Sequence, residues 1–209
     1  MGYLRPATLQ IRPATLSDAA DLARFANLAG EGLPGYLWSQ LAVGDATPDE
    51  IGAQRAARDD GSFSWRNGHV AVYQGRAVGT VIDYELTEAA LPGVDVPDYL
   101  RPLCELEFSA VGSRYINILA VSPDMRRRGV ARALVEDVAA RTDRDLTLIV
   151  RSGNARAMSF YESEGFTPQA ALPTGRGGPP HLDGEWRLMR RPSGVWSGEE
   201  YLAASGRSK

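Results

Sequence analysis

Tyr115-Ile-Asn-Ile-Leu-Ala-Val-Ser-Pro-Asp-Met-Arg-Arg-Arg-Gly-Val-Ala-Arg-Ala-Leu-Val135 reads as a buried strand, a basic turn and the start of a helix. Ile116, Ile118 and Ala120 alternate with Asn117, Leu119 and Val121. Both sets are mostly apolar, so the strand is expected inside a sheet covered on both faces. Val130, Leu134 and Val138 recur at helical spacing and give the next helix an apolar stripe to lay on that sheet. Between strand and helix stand Arg126, Arg127, Arg128 and Gly129. A helix N-terminus has unpaired N–H groups and about half a positive charge, so it attracts a diphosphate. Gly129 permits a tight bend and close backbone approach, and Ala131 leaves room against the first turn. The stretch is therefore expected to cradle phosphate at a central strand's C-terminal end, where open α/β sheets bind ligands.

The better-known phosphate loops are absent: there is no Gly-x-x-x-x-Gly-Lys-Ser/Thr, and no Gly-x-Gly-x-x-Gly follows a strand. Downstream, Leu146-Thr-Leu-Ile-Val150 is a short apolar strand. A helix runs after it from the cap Asn154 to Gly165, a suitable C′ residue. The patterns Arg126-x-x-Gly129-x-Ala131 and Asn154-x-x-Ala157-x-x-x-Tyr161-x-x-x-Gly165-Phe166, in this order, resemble the two signatures of the GCN5-related N-acetyltransferases, the GNAT family.

The resemblance implies an α/β (α+β) fold: a single mixed, mostly antiparallel central sheet with a splayed parallel strand pair and helices on both faces. It implies acetyl-CoA as cosubstrate, its pantetheine arm between Tyr115–Val121 and Leu146–Arg151 and bonded by backbone near Leu119, Ala120 and Val121. Main-chain N–H groups of Arg127, Arg128, Gly129, Val130 and Ala131 would hold the diphosphate, with Arg126 and its neighbours adding charge, and Asn154 would touch CoA. Tyr161 occupies the place of the family's general acid, and an ordinary tyrosine pKa of about 10 suits proton delivery to a thiolate. The implied activity is acetyl transfer to a primary amine, by direct attack in a ternary complex. The alternative is a non-catalytic acyl-CoA-binding module on the same fold.

For the base, the residues offer Glu105 and Glu107. In an extended segment they face the same way and in a helix they diverge; Glu107 is preferred. Asn117, polar within an apolar strand, is expected to line the acceptor site. Glu31, Tyr36, Trp38, Ser64 and Asn67 are candidates for its opposite wall.

The chain has 209 residues, 44% hydrophobic and 23% charged, with a formal charge of −3. That describes one globular domain, here 1–191 with an insert at 87–113 near the acceptor site, followed by a tail at 192–209. The charge gives no support to nucleic-acid binding. A lone Cys104 excludes an intrachain disulfide, and Cys and His residues lack zinc spacing, so no metal is expected. His69 and His181 read as surface or strand-end residues. With no leader pattern and no membrane-length apolar run, the expected place is the cytoplasm and the expected partner a small-molecule amine or a peptide. Tyr201 and Leu202 in the tail are compatible with a homodimer contact.

Elsewhere the sequence predicts a first strand at Leu9–Thr15, a helix capped by Ser17, a helix from the Thr47–Glu50 capping box to near Gly61, and a hairpin of His69–Tyr73 with Ala77–Leu86. Part of Pro97–Phe108 is expected to be helical, and Glu185–Met189 to be the last strand.

Overall fold

A computed structural model of the chain describes residues 9–90 and 96–194. Its strands are β1 (Leu9–Pro13), β2 (Gly68–Tyr73), β3 (Arg76–Glu85), β4 (Arg114–Val121), β5 (Leu146–Arg151), β6 (Thr167–Pro173) and β7 (Glu185–Arg191). Its helices are α1 (Ala19–Ala29), α2 (Leu33–Leu41), α3 (Pro48–Ala56), α4 (Arg101–Ser109), α5 (Val130–Ala139) and α6 (Ala155–Ser163). The strands form one sheet in the order β1-β2-β3-β4-β5-β7-β6. Every neighbouring pair is antiparallel except β4 with β5. This is the mixed, mostly antiparallel sheet that the sequence predicts. Among the described residues no helix is long and apolar enough to cross a membrane.

One face of the sheet is covered by α5 and α6. The α5 stripe Val130, Leu134 and Val138 is buried with Val81, Ile116 and Leu148, and α6 adds Met158 and Tyr161. Each fully buried aliphatic side chain here contributes about 1.5–3 kcal/mol of transfer free energy. The opposite face carries two clusters. Leu22 and Ala26 of α1 and Ala56 of α3 pack with Val70, Ile82 and Ile118. Leu106 of α4 packs with Leu33, Leu86, Tyr115, Trp186 and Leu188.

Ile116 and Ile118 thus lie on opposite faces, and the strict alternation expected along β4 fails. The cause is a bulge. Ile82 stands opposite Ile118 and the next residue, Asp83, opposite Ile116, which leaves Asn117 as an extra residue in β4. A bulge bends its strand and increases its twist. The parallel ladder stops at the same place: β4 pairs with β5 only at Arg114↔Leu146 and Tyr115↔Thr147. Beyond these pairs the two strands separate.

Several local expectations change. Asp18, not Ser17, precedes α1; its carboxylate accepts from the Thr15 backbone N–H at 2.7 Å and hydroxyl at 2.8 Å and pairs with Arg12 at 2.8 Å. Its pKa falls to about 2, chiefly through the Arg12 hydrogen bond. The Thr47–Glu50 capping box is present, but α3 ends at Ala56, ahead of Gly61. Helix α2 and strand β6 were not expected. Pro34 sits in the first turn of α2, where a missing N–H costs nothing. Strand β6 is at the sheet edge, where proline is tolerated. Gln74 (φ 51°) and Gly75 (φ 75°) make the β2–β3 turn with both residues left-handed, as a two-residue hairpin requires. The tail contact expected at Tyr201 and Leu202 lies outside the described residues.

Candidate active site

After β4 the chain makes a 3-10 turn at Pro123–Met125, passes Arg126 in an extended conformation, and starts α5 from Gly129. Arg127 (φ 61°) and Gly129 (φ 82°) are left-handed. For arginine this conformation costs on the order of 1 kcal/mol, and such strain concentrates at ligand sites. A Cβ on Gly129 would meet nothing within 4 Å, so glycine serves the backbone angle there and not a tight contact. Among the described residues Arg126, Arg127 and Arg128 form no salt bridge, whereas nearby Asp124 is taken by Arg76 at 2.6 Å. Arg128 still acts on the Asp124 carboxylate through its charge, and the loop presents three guanidinium groups, without a salt bridge among the described residues, beside the N–H groups at the head of α5, a combination suited to a diphosphate. Val130 is buried in the core, so it and Ala131 offer the loop backbone only.

Leu119, Ala120 and Val121 follow the bulge, where β4 has left β5. Asn154 stands at the far side of the opening. Its Oδ1 accepts from the Ala157 backbone N–H at 3.1 Å and caps α6, while its Nδ2 donates to Glu31 Oε1 at 2.6 Å.

Tyr161, on α6, has its ring 5.7 Å from Phe166 edge-on and 5.4 Å from Phe160. Burial pushes its pKa up, so the hydroxyl remains protonated and able to donate throughout the neutral range. On the other face α4 is helical, and Glu105 and Glu107 diverge as that geometry requires: Glu105 is exposed and Glu107 turns inward. Burial raises the Glu107 pKa, and hydrogen bonding by Tyr115 partly offsets this. Tyr115 is 3% exposed, with its ring 5.8 Å from Tyr84. Burial raises its pKa first, and then come the neighbours Glu107, Tyr84 and Tyr161. Tyr115 is thus close to the candidate base on one face and the candidate acid on the other, at the last paired position before β4 and β5 part.

The expected opposite wall of the acceptor site is only partly brought to this place. Trp38 is buried, stacked on Phe63 at 5.8 Å. Ser64 donates to the Arg58 carbonyl, and Asn67 to the Gly61 and Ser62 carbonyls, so both hold the loop before β2. Tyr36 meets Tyr99 edge-on at 6.1 Å, which joins α2 to the segment before α4. Asn117 is half-buried at the bulge. Glu31 is engaged on both carboxylate oxygens, by Arg151 and Asn154. Of the two histidines, His69 is half-buried in β2 and burial lowers its pKa; His181 Nε2 lies 2.8 Å from the Glu31 carbonyl oxygen. Sequence reading did not select Tyr84, Tyr115 or Arg151. The first two are polar-tipped aromatics in strands, a feature shared by ordinary core residues.

Residues 64–168, half of the chain, match the family model described as an acetyltransferase (GNAT) domain. No curated protein matches the sequence. Among solved structures, an N-acetyltransferase from Staphylococcus aureus is 16% identical with a TM-score of 0.60, covering 87% of this chain and 99% of its own. A GCN5-related N-acetyltransferase from Kribbella flavida is 21% identical with a TM-score of 0.55, covering 90% and 99%. An acetyltransferase from Thermus thermophilus is 20% identical with a TM-score of 0.52, covering 92% and 99%. At these identities the likeness is one of fold.

Proposed function

Since the chain belongs to the GNAT acetyltransferase family, we propose that it transfers the acetyl group of acetyl-CoA to a primary amine by direct attack, with both substrates bound together. Family members use acetyl-CoA, which supplies an activated thioester, and the residues present fit it. Arg126, Arg127 and Arg128, with the N–H groups leading into α5, suit its diphosphate; the opening between β4 and β5 suits its extended arm. Leu119, Ala120 and Val121 would bond that arm as an added strand does.

The chain's own groups then have three tasks. Glu107 takes the proton from the incoming ammonium, directly or through water, and so frees the nitrogen lone pair for the new N–C bond. A backbone N–H near Leu119 or Ala120 stabilises the negative charge gathering on the carbonyl oxygen. Tyr161 gives its proton to sulfur as the C–S bond breaks. Raised pKa values suit both side chains: Glu107 becomes a stronger base than an exposed carboxylate, and Tyr161 stays loaded with its proton. Glu105, exposed on the other side of α4, is the weaker candidate. The acceptor is a small-molecule amine or a peptide, and a cytoplasmic setting is compatible with the single cysteine.

The observation that carries this reading is the opening of β4 from β5 at the Asn117 bulge, between the arginine loop and the Glu107–Tyr115–Tyr161 group. Thiol release from acetyl-CoA across a panel of primary amines tests it. Tyr161→Phe is expected to lower kcat by about 10²–10⁴ with CoA affinity unchanged. An unaffected rate would remove Tyr161 from the mechanism.

A further inference from the structure

Glu31 is held by two segments distant from it in sequence, the connection from β5 to α6 and the turn around His181. Its Oε2 accepts from Arg151 Nε at 2.9 Å and from Arg151 Nη2, and its Oε1 accepts from Asn154 Nδ2 at 2.6 Å. Its main-chain oxygen lies 2.8 Å from His181 Nε2. Arg151 in turn donates from Nη1 to the Asp183 carbonyl at 3.0 Å. The two charged side chains are 26% and 17% exposed, so the pair is better shielded than a surface ion pair, and removing one partner leaves a partly buried charge behind. Glu31 also sits at φ 51°, a left-handed conformation that a non-glycine residue keeps only where its surroundings over-determine it.

The position of this knot gives it a task. Helix α1 lies on β4, with Leu22 and Ala26 packed in one cluster with Ile118, and the turn after α1 carries Glu31 across to Arg151, the last residue of β5. β4 and β5 are joined directly only at their first two residue pairs. At the open end the Glu31 carboxylate is a tie between the α1 layer on β4 and the end of β5, and through Asn154 it also ties the head of α6.

We propose that Glu31 is a positioning residue that sets the width of the opening between β4 and β5, so that the arm of acetyl-CoA, and not its nucleotide head, depends on it. This inference rests on the acetyl-CoA reading above. A cleft held at the width of its ligand loses less order on binding, and that pre-organisation appears as affinity. The head is held by a different element, the arginine loop before α5, which Glu31 does not touch.

Calorimetric titration of the full chain with CoA, and with 3′-phospho-ADP, which keeps the diphosphate and lacks the arm, separates the two. Glu31→Ala is expected to weaken CoA about tenfold and to leave 3′-phospho-ADP within about twofold of wild type. Glu31→Gln, whose amide oxygen still accepts from Arg151, is expected to lose less. Arg151→Met cuts the tie from the β5 side and must show the same selective loss, which keeps the test open if Glu31→Ala folds poorly. Wild-type affinity for CoA in both Glu31→Ala and Arg151→Met, or equal losses for the two ligands, overturns the proposal. A wild-type protein that binds neither ligand overturns the acetyl-CoA reading, and this inference with it.

Discussion

At Glu107, the proposed base, the burial that strengthens the carboxylate as a base also disfavours the charged form that must take the proton. Burial favours its neutral form and raises its pKa. The folded state therefore holds the proton more tightly than the unfolded chain. The stability this group contributes is complete below the ordinary carboxyl range, about pH 4, and is lost as pH rises through the higher folded value. Glu107→Gln is expected to raise the melting temperature at about pH 7–8 and to leave it unchanged near pH 4, while removing the acidic limb of the kcat/KM profile. Equal melting shifts at both pH values would contradict the assignment. In sequence, Glu105 and Glu107 were separable only by knowing that α4 is a helix and which side faces Tyr115. The candidate acid Tyr161 stands out in the sequence because its motif is short-range, spanning α6 and its two ends. Glu31 was picked out, but its carboxylate partners stand 120 and 123 residues away, and no local pattern records such a pairing.

Among the elements, the loop before α5 and the capped start of α6 were readable because turn, cap and stripe are short-range physics. The bulge in β4 was not. Asn117 looked like one polar residue in an alternating strand, and only pairing with β3 shows that it is surplus. The ends of β3, β4 and α5 are joined by a contact equally hidden in sequence. The Asp83 side chain, 0% exposed, pairs with Arg114 at 2.5 Å and with Arg141 at 2.9 Å, and Arg141 also reaches Asp137 at 3.1 Å. Asp83→Ala leaves two arginines without their buried partner and is expected to cost about 3–5 kcal/mol in urea denaturation. A loss below about 1 kcal/mol would show that solvent replaces the carboxylate there. Since β4 and β5 are paired close to this point, the contact also anchors the closed end of their opening.

Across the molecule, the sheet is a partition with a gap in it. Helices α5 and α6 bring the arginine loop and Tyr161 to one face; α4 brings Glu107 to the other. Glu107 and Tyr161 both act on Tyr115, the last β4 residue paired with β5. On the proposed reading, a donor threaded through the gap would reach an amine bound on the far side, with the proposed acid and base on different layers. The proposed donor half stands out in the sequence because its residues lie in two contiguous motifs. The proposed acceptor half draws on α2, α4 and the loops around Glu31, whose order in the chain says little about their meeting. The central claim is tested most directly by mass spectrometry of the products after incubation with acetyl-CoA and a panel of primary amines. Acetyl transfer predicts one N-acetylated amine for each CoA thiol released by the wild-type protein, and both formed about 10²–10⁴ more slowly by Tyr161→Phe. Binding of CoA without an N-acetylated product from any amine in the panel would contradict it.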